Sequence, residues 1–162
     1  MSVVEVLSMT STRSLAIAAI SVLLPALGMA QEKKIQRSDL PPAVEKTVAE
    51  QSKGATIRGF SQEQEKGQTF YEAELMINGH SKDVLMDGAG AVVEVEEQVV
   101  FESLPAEVQA GLQAKAGGGK IGKVESLTKK DNLVAYEAKV VKDGKKAEIQ
   151  VGPDGKPLDH EE

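Results

Sequence analysis

Residues 70–77 alternate along the chain, with Tyr71, Ala73, Leu75 and Ile77 on one side and Phe70, Glu72, Glu74 and Met76 on the other. That period of two predicts a half-buried strand. Upstream the period changes: Leu40, Val44 and Val48 fall four apart and predict one apolar stripe on a helix. Ser38 and Asp39 offer capping side chains before it, and Pro is tolerated in a first helical turn. Between helix and strand, Ile57 and Phe60 are three apart, so the short strand at 57–60 is expected to carry a bulge or sharp twist. Residues 62–67 make a polar tip, and Asn78-Gly79 is a strong hairpin turn. A third strand then reaches Met86, and Asp87-Gly88-Ala89-Gly90 turns into a fourth.

The same pattern returns further along. Tyr71-Glu72-Ala73 matches Tyr136-Glu137-Ala138, and Asn78-Gly79 matches Asp143-Gly144, both 65 positions on. That shift also pairs Val84 with Ile149, Met86 with Val151, Val93 with Leu158 and Glu94 with Asp159. Upstream a shift of 64 pairs Leu40-Pro41 with Leu104-Pro105, Val44 with Val108, Val48 with Leu112 and Gly54 with Gly118. A repeat of this length is a whole supersecondary unit. The expected fold is α+β: two tandem αββββ repeats, each a helix packed on a four-stranded antiparallel meander. Their bounds are 38–97 and 103–162, with a linker at 98–102 and an N-terminal lead at 31–37. The expected cores hold Val44, Leu75 and Val93 in one repeat, and Val108, Val140 and Leu158 in the other.

The N-terminal segment changes the picture of where the chain works. Arg13 precedes an apolar run at 15–27, and Gly28-Met29-Ala30 supplies small residues before the polar stretch from Gln31. This reads as a cleaved signal peptide over 1–30, with Met9 as an alternative start. A membrane anchor needs about 20 apolar residues, and this run is shorter. The expected location is periplasmic or secreted, with no stable membrane anchor after cleavage. The chain has 162 residues and no cysteine, so export leaves it without disulfides to supplement its core. Three Phe, two Tyr and no Trp make that core aliphatic. A net charge of −6 argues against nucleic acid, because phosphate neutralisation needs excess Lys and Arg.

Leu-Pro-x-x-Val opening a helix, a small-residue helix exit, Tyr-Glu-Ala, an Asx-Gly hairpin and a late Asp-Gly occur in order in both halves. The ordered set resembles the PepSY-like family, including its β-lactamase-inhibitor-like branch, over residues 38–162. That resemblance implies an exported bacterial protein built on the αββββ unit, with no catalytic activity. The related inhibitory proteins use two such units to form a concave sheet that clasps an enzyme. They also carry disulfides and an aromatic-rich binding face, which this composition does not supply.

Candidate chemistry is confined to one sheet face. His80 and His160 occupy non-equivalent positions without a visible partner, and no Ser or Thr has a nucleophile motif around it. The chain is therefore expected not to be an enzyme and to need no cofactor or metal. Asp87-Gly88-Ala89-Gly90 has part of the composition of a calcium loop but lacks its alternating ligands, and reads better as a β-turn. Gly117-Gly118-Gly119 reads as a helix exit, since no strand-then-helix context surrounds it. Tyr71 and Tyr136 are in phase with core residues and read as buried rings whose hydroxyls reach the rim.

Strand parity sends Glu72, Glu74, Asp83, Glu94 and Glu96 outward, and in the second half Glu137, Glu148, Asp159 and Glu161, with Lys139 the exception. Like charges facing one another on a sheet are destabilising, although an antiparallel sheet also needs a wet face. The candidate partner-binding residues are Phe70, Glu72, Glu74, Met76, Glu94, Glu96, Glu137 and Lys139. The expected function is a non-enzymatic binding or inhibitory module engaging a protein or peptide of basic character. Sequestration of a cation or basic ligand by the same carboxylates is the alternative, and a purely structural envelope domain the third.

Overall fold

The computed structural model describes residues 32–160 and Glu162. The expected signal peptide at 1–30 and Glu161 lie outside the described residues. In chain order the elements are β1 (Lys33–Ile35), α1 (Pro42–Gln51), β2 (Thr56–Glu65), β3 (Gln68–Ile77), β4 (His80–Asp87) and β5 (Val92–Val99). Then come α2 (Ala106–Ala116), β6 (Lys120–Lys129), β7 (Asn132–Lys142) and β8 (Lys145–Val151). All eight strands form one antiparallel sheet in sequential order, β1 to β8.

This corrects the expectation of two αββββ repeats, each with its own four-stranded sheet. Strands β5 and β6 pair from Glu94↔Lys129 to Val99↔Val124, so what were expected to be separate meanders are one continuous surface. Gln98 and Val99, placed in a linker by sequence, belong to β5 and pair with Glu125 and Val124. The last copy has three strands, because Gly152 to His160 form turns and coil instead of a fourth strand. Pro153 contributes to this: it cannot donate a ladder hydrogen bond, and the following backbone closes a tight turn, with Gly155 N donating to Gly152 O at 2.8 Å.

Local signals explain the elements. Gly117 ends α2 in the left-handed region at φ 56°, the usual role of a glycine past a helix. Asn78-Gly79 and Asp143-Gly144 both take positive φ at each turn residue, as a type I′ hairpin requires. The bulge expected near Ile57 is present, as a register shift between Ile57 and Gly59, and the second half repeats it between Ile121 and Val124. The capping expectation is not met. Both helices start after a Pro with no side-chain cap. Asp39 instead accepts from Gln36 N at 2.9 Å in a preceding 3₁₀ turn.

Both helices lie on one face of the sheet over separate apolar clusters. Val44 and Val48 of α1 pack with Phe60, Ala73, Leu75, Val84 and Met86. Val108 and Leu112 of α2 pack with Val124, Ala138, Val140, Ile149 and Val151. Full burial of one such side chain contributes roughly 1.5–3 kcal/mol. Between the clusters the same face turns polar, where Lys82 and Glu97 form an ion pair at 3.1 Å. Tyr71 and Tyr136, expected as buried rings, are partly buried and each borders one cluster. Leu158 is outside both clusters, and so is Val93, for a reason that bears on the opposite face.

Candidate functional site

Among the described residues, no helix covers the other face of the sheet. Register alone assigns its residues. Ser61 pairs with Glu72, Glu72 with Leu85, and Leu85 with Glu94. One row over, Glu74 pairs with Asp83, Asp83 with Glu96, and Glu96 with Leu127. In the next row Gln98 pairs with Glu125, Glu125 with Glu137, and Glu137 with Gln150. Residues paired across antiparallel strands share a face, so three acidic rows run across one surface.

At the centre, one carboxylate oxygen from each of Asp83, Glu96 and Glu125 lies within 4.8 Å of the others. Glu125 is only 3% exposed. It is held by Lys123 at 2.6 Å, and Ser81 Oγ donates to it at 3.4 Å. Among the described residues, Asp83, Glu96 and Glu72 form no ion pair. Glu72 accepts from Ser61 Oγ at 2.9 Å, and Glu137 from Gln150 Nε2 at 2.9 Å.

Crowding and burial both resist ionisation here. Burial, reinforced by Glu125, Glu137, Glu94 and Asp83, pushes the Glu96 carboxyl up to about 8. Burial also raises Glu72, Asp83 and Glu137 above the ordinary carboxylate range, and Lys123 partly offsets the effect at Asp83. The surrounding acids are better neutralised. Glu74 pairs with Lys34, Glu94 with Lys129 at 3.6 Å, and Glu148 with Lys139 at 3.1 Å.

The face is dished. Glu63, Glu72, Asp83, Leu85, Glu94 and Glu96, contributed by four successive strands, line one cavity of about 150 Å³. Beside it opens a larger groove of about 760 Å³, lined by Phe70, Leu85, Ala89 and Val93 and rimmed by Glu65, Glu94, Lys129 and Lys130. Val93 reaches this groove because the β4–β5 ladder shifts between Leu85 and Met86. A bulge inserts an extra residue and re-aims a side chain. Val92 takes the place under α1 that alternation gave to Val93.

The candidate residues named from sequence divide accordingly. Glu72, Glu94 and Glu96 meet around the acidic cavity, and Phe70 lies beside it in the apolar groove. Glu74 and Met76 line a neighbouring hollow with Lys34 and Lys123, so Phe70 and Met76 do not form a single anchor. Glu137 is reached through the Glu125 row, while Lys139 sits further out against Glu148. Sequence reasoning missed Glu63, Leu85 and Glu125 as site residues. Continuing β2 through Glu65 and β6 through Lys129, with parity kept from Phe60 and Val124, would have found Glu63 and Glu125. His80 and His160 are both exposed. Asp87 Oδ1 accepts from Ala89 N at 2.9 Å and Ala91 N at 3.0 Å, so the Asp-Gly segment is the turn expected of it. No described helix is long and apolar enough to cross a membrane.

No family model and no curated protein matches the chain. Solved structures do. A protein from Bacteroides eggerthii described as periplasmic is 20% identical with a TM-score of 0.61, over 74% of this chain and 86% of that one. A DUF2874 family protein from Bacteroides ovatus is 20% identical with a TM-score of 0.59, over 74% and 84%. A BLIP-like protein from Bacteroides fragilis is 20% identical with a TM-score of 0.55, over 74% and 83%. This chain shares their fold.

Proposed function

We propose that the protein is a non-catalytic binding module of the bacterial periplasm whose acidic sheet face receives a basic segment of a protein or peptide. The observation that carries this reading is the set Glu72, Asp83 and Glu96. These are half-buried acids without an ion-pair partner among the described residues, whose proton affinity is raised first by burial and then by neighbouring carboxylates, Asp83 acting on both Glu72 and Glu96. A lysine or arginine side chain entering the cavity relieves that repulsion where water does not, since charge pairing strengthens as the site is desolvated. The shared fold with a BLIP-like protein is compatible with a non-enzymatic module, and the periplasmic description of the eggerthii protein agrees with the export expected from the N-terminal segment.

The test is binding of a labelled oligolysine peptide, followed in rising salt. The parent should bind and weaken with salt, as screening lengths shrink to about 8 Å at physiological ionic strength. A variant carrying Glu72→Gln, Asp83→Asn and Glu96→Gln should lose about tenfold or more in affinity while melting no lower than the parent. Equal binding by parent and variant would show that these acids only keep the sheet wet. The Asp83–Glu96–Glu125 oxygens favour a second reading, capture of a divalent cation. Three carboxylates are a short set for calcium, which takes six to eight oxygens. Calcium that raised the melting temperature of the parent but not of the variant, and displaced the peptide, would favour that reading.

A further inference from the structure

We propose that this face holds a two-part site, in which the apolar groove at Phe70, Leu85 and Val93 opens into the acidic cavity at Glu72, Asp83 and Glu96. Its occupant is a polypeptide segment carrying a large apolar side chain within two residues of a lysine or arginine. The inference rests on the outer face being a binding surface and specifies what that surface selects.

Three observations support it. First, Leu85 and Glu94 line both hollows, so the compartments share a wall. Glu94 and Glu96 are two residues apart on one strand, and a strand rises about 3.3 Å per residue. A side chain in the groove and an ammonium or guanidinium in the cavity are therefore within reach of one or two residues of extended chain. Lysine and arginine suit the geometry further, because their apolar stems can lie along Leu85 while the charge goes on to the carboxylates.

Second, the groove is built by a specific distortion. The bulge opposite Leu85 and Met86 turns Val93 out of the core face, and bulges serve to re-aim side chains beside sites. The far wall at Gly88 and Ala89 is fixed by the two backbone N–H groups that donate to Asp87 Oδ1. The same bonds hold Asp87, which also lines the groove, by one carboxylate oxygen against its own turn.

Third, charge is distributed to suit such an occupant. Lys129 at the rim is already paired with Glu94 at 3.6 Å and Glu162 at 3.5 Å. The acids deeper in the cavity have no such partner among the described residues. An apolar segment with no positive charge leaves them crowded, and a basic segment with no apolar side chain leaves the groove in water.

Three short labelled peptides in a Gly-Ser background separate the possibilities by fluorescence anisotropy: one with Leu-Lys pairs, one with Lys alone and one with Leu alone. The Leu-Lys peptide should bind about tenfold tighter than either of the others. Val93→Thr, confined to the groove, should bring its affinity down towards that of the Lys peptide while leaving the Lys peptide unchanged, whereas Leu85→Ala, at the wall shared by both hollows, should weaken both peptides. Val93→Thr keeps the branched shape at a part-exposed position, so a folding defect is not expected to obscure the result, and melting checks both variants. Equal affinity for the Leu-Lys and Lys peptides overturns the two-part site but leaves the acidic-face reading standing. So does indifference of the Leu-Lys peptide to both groove variants. A Leu peptide that binds as well as the Leu-Lys peptide removes charge from recognition and overturns the two-part site. Binding by none of the three overturns the acidic-face reading, and the two-part site with it.

Discussion

Glu96 carries the largest perturbation on the acidic face, and its consequence for stability has a definite sign. Its folded carboxyl titrates at about 8, against 4.5 for the ordinary group. The native state therefore holds a proton that the unfolded chain releases, and stability falls as pH rises across that window. At pH 4 the group costs nothing, and by pH 9 the native protein bears the full charge. Glu96→Gln should then melt like the parent at pH 4 and higher than the parent at pH 9. The advantage should be about 1–2 kcal/mol once solvent screening of a half-buried group is allowed for, read from paired denaturation curves. A gain that was the same at both values would mean that the substitution acts through packing and not through charge. That Glu96 faces outward was legible from alternation alone. That Glu125 joins it was not, because the 64-residue shift carries the short strand expected at 57–60 onto 121–124, which stops one residue before it. The strength of the coupling was out of reach in any case, since it depends on the β5–β6 register that brings Glu96 opposite Leu127 and Gln98 opposite Glu125.

At the scale of elements, the turns after β4 and β8 do more than reverse the chain, because each docks on a helix. Gly155 has φ +76°, and a Cβ there would stand 2.1 Å from the Glu107 carbonyl oxygen of α2. Gly90 has φ +80°, and its Cβ would stand 2.5 Å from the Ala43 oxygen of α1. Gly54 also has positive φ but nothing within 4 Å, so it isolates backbone strain from collision. Gly54→Ala should cost about 1 kcal/mol. Gly90→Ala and Gly155→Ala should each cost about 2–4 kcal/mol in urea denaturation, because the helix must move as well. Three equal losses would mean that the turns are not seated on the helices. Helices, hairpin turns and bulges were all legible, because each has a local cause in spacing or turn chemistry. The absence of a fourth strand in the second half was hidden, since Leu158 and Asp159 keep the strand-like pattern of Val93 and Glu94. The repeat in sequence outlasts the repeat in structure.

For the whole molecule, the continuity of the sheet is what sequence could not supply. Nothing local in residues 92–99 or 120–129 states that these strands pair, and the two apolar clusters under separate helices are equally compatible with two free units. The pairing matters for function, because it lays the Glu96 and Glu125 rows side by side on one surface. It also predicts coupled unfolding. Tyr71 borders one cluster and Tyr136 the other, and the chain has no tryptophan. Tyr136→Phe and Tyr71→Phe therefore leave a single reporter in each half. Once each variant's own stability is matched by far-UV circular dichroism, each tyrosine should lose its signal at the same urea concentration as the sheet. A tyrosine whose midpoint departed from the sheet's would mark an independently folding half.

The central claim, that the outer sheet face is a receiving surface for a basic segment, is tested most directly by mapping amide chemical shifts during titration with the Leu-Lys peptide. Perturbations should concentrate at Glu72, Asp83, Leu85, Val93, Glu94 and Glu96, and should be absent from the exposed sides of α1 and α2. Shifts gathered on the helices or along the β8 edge, with the acidic rows unmoved, would contradict the account.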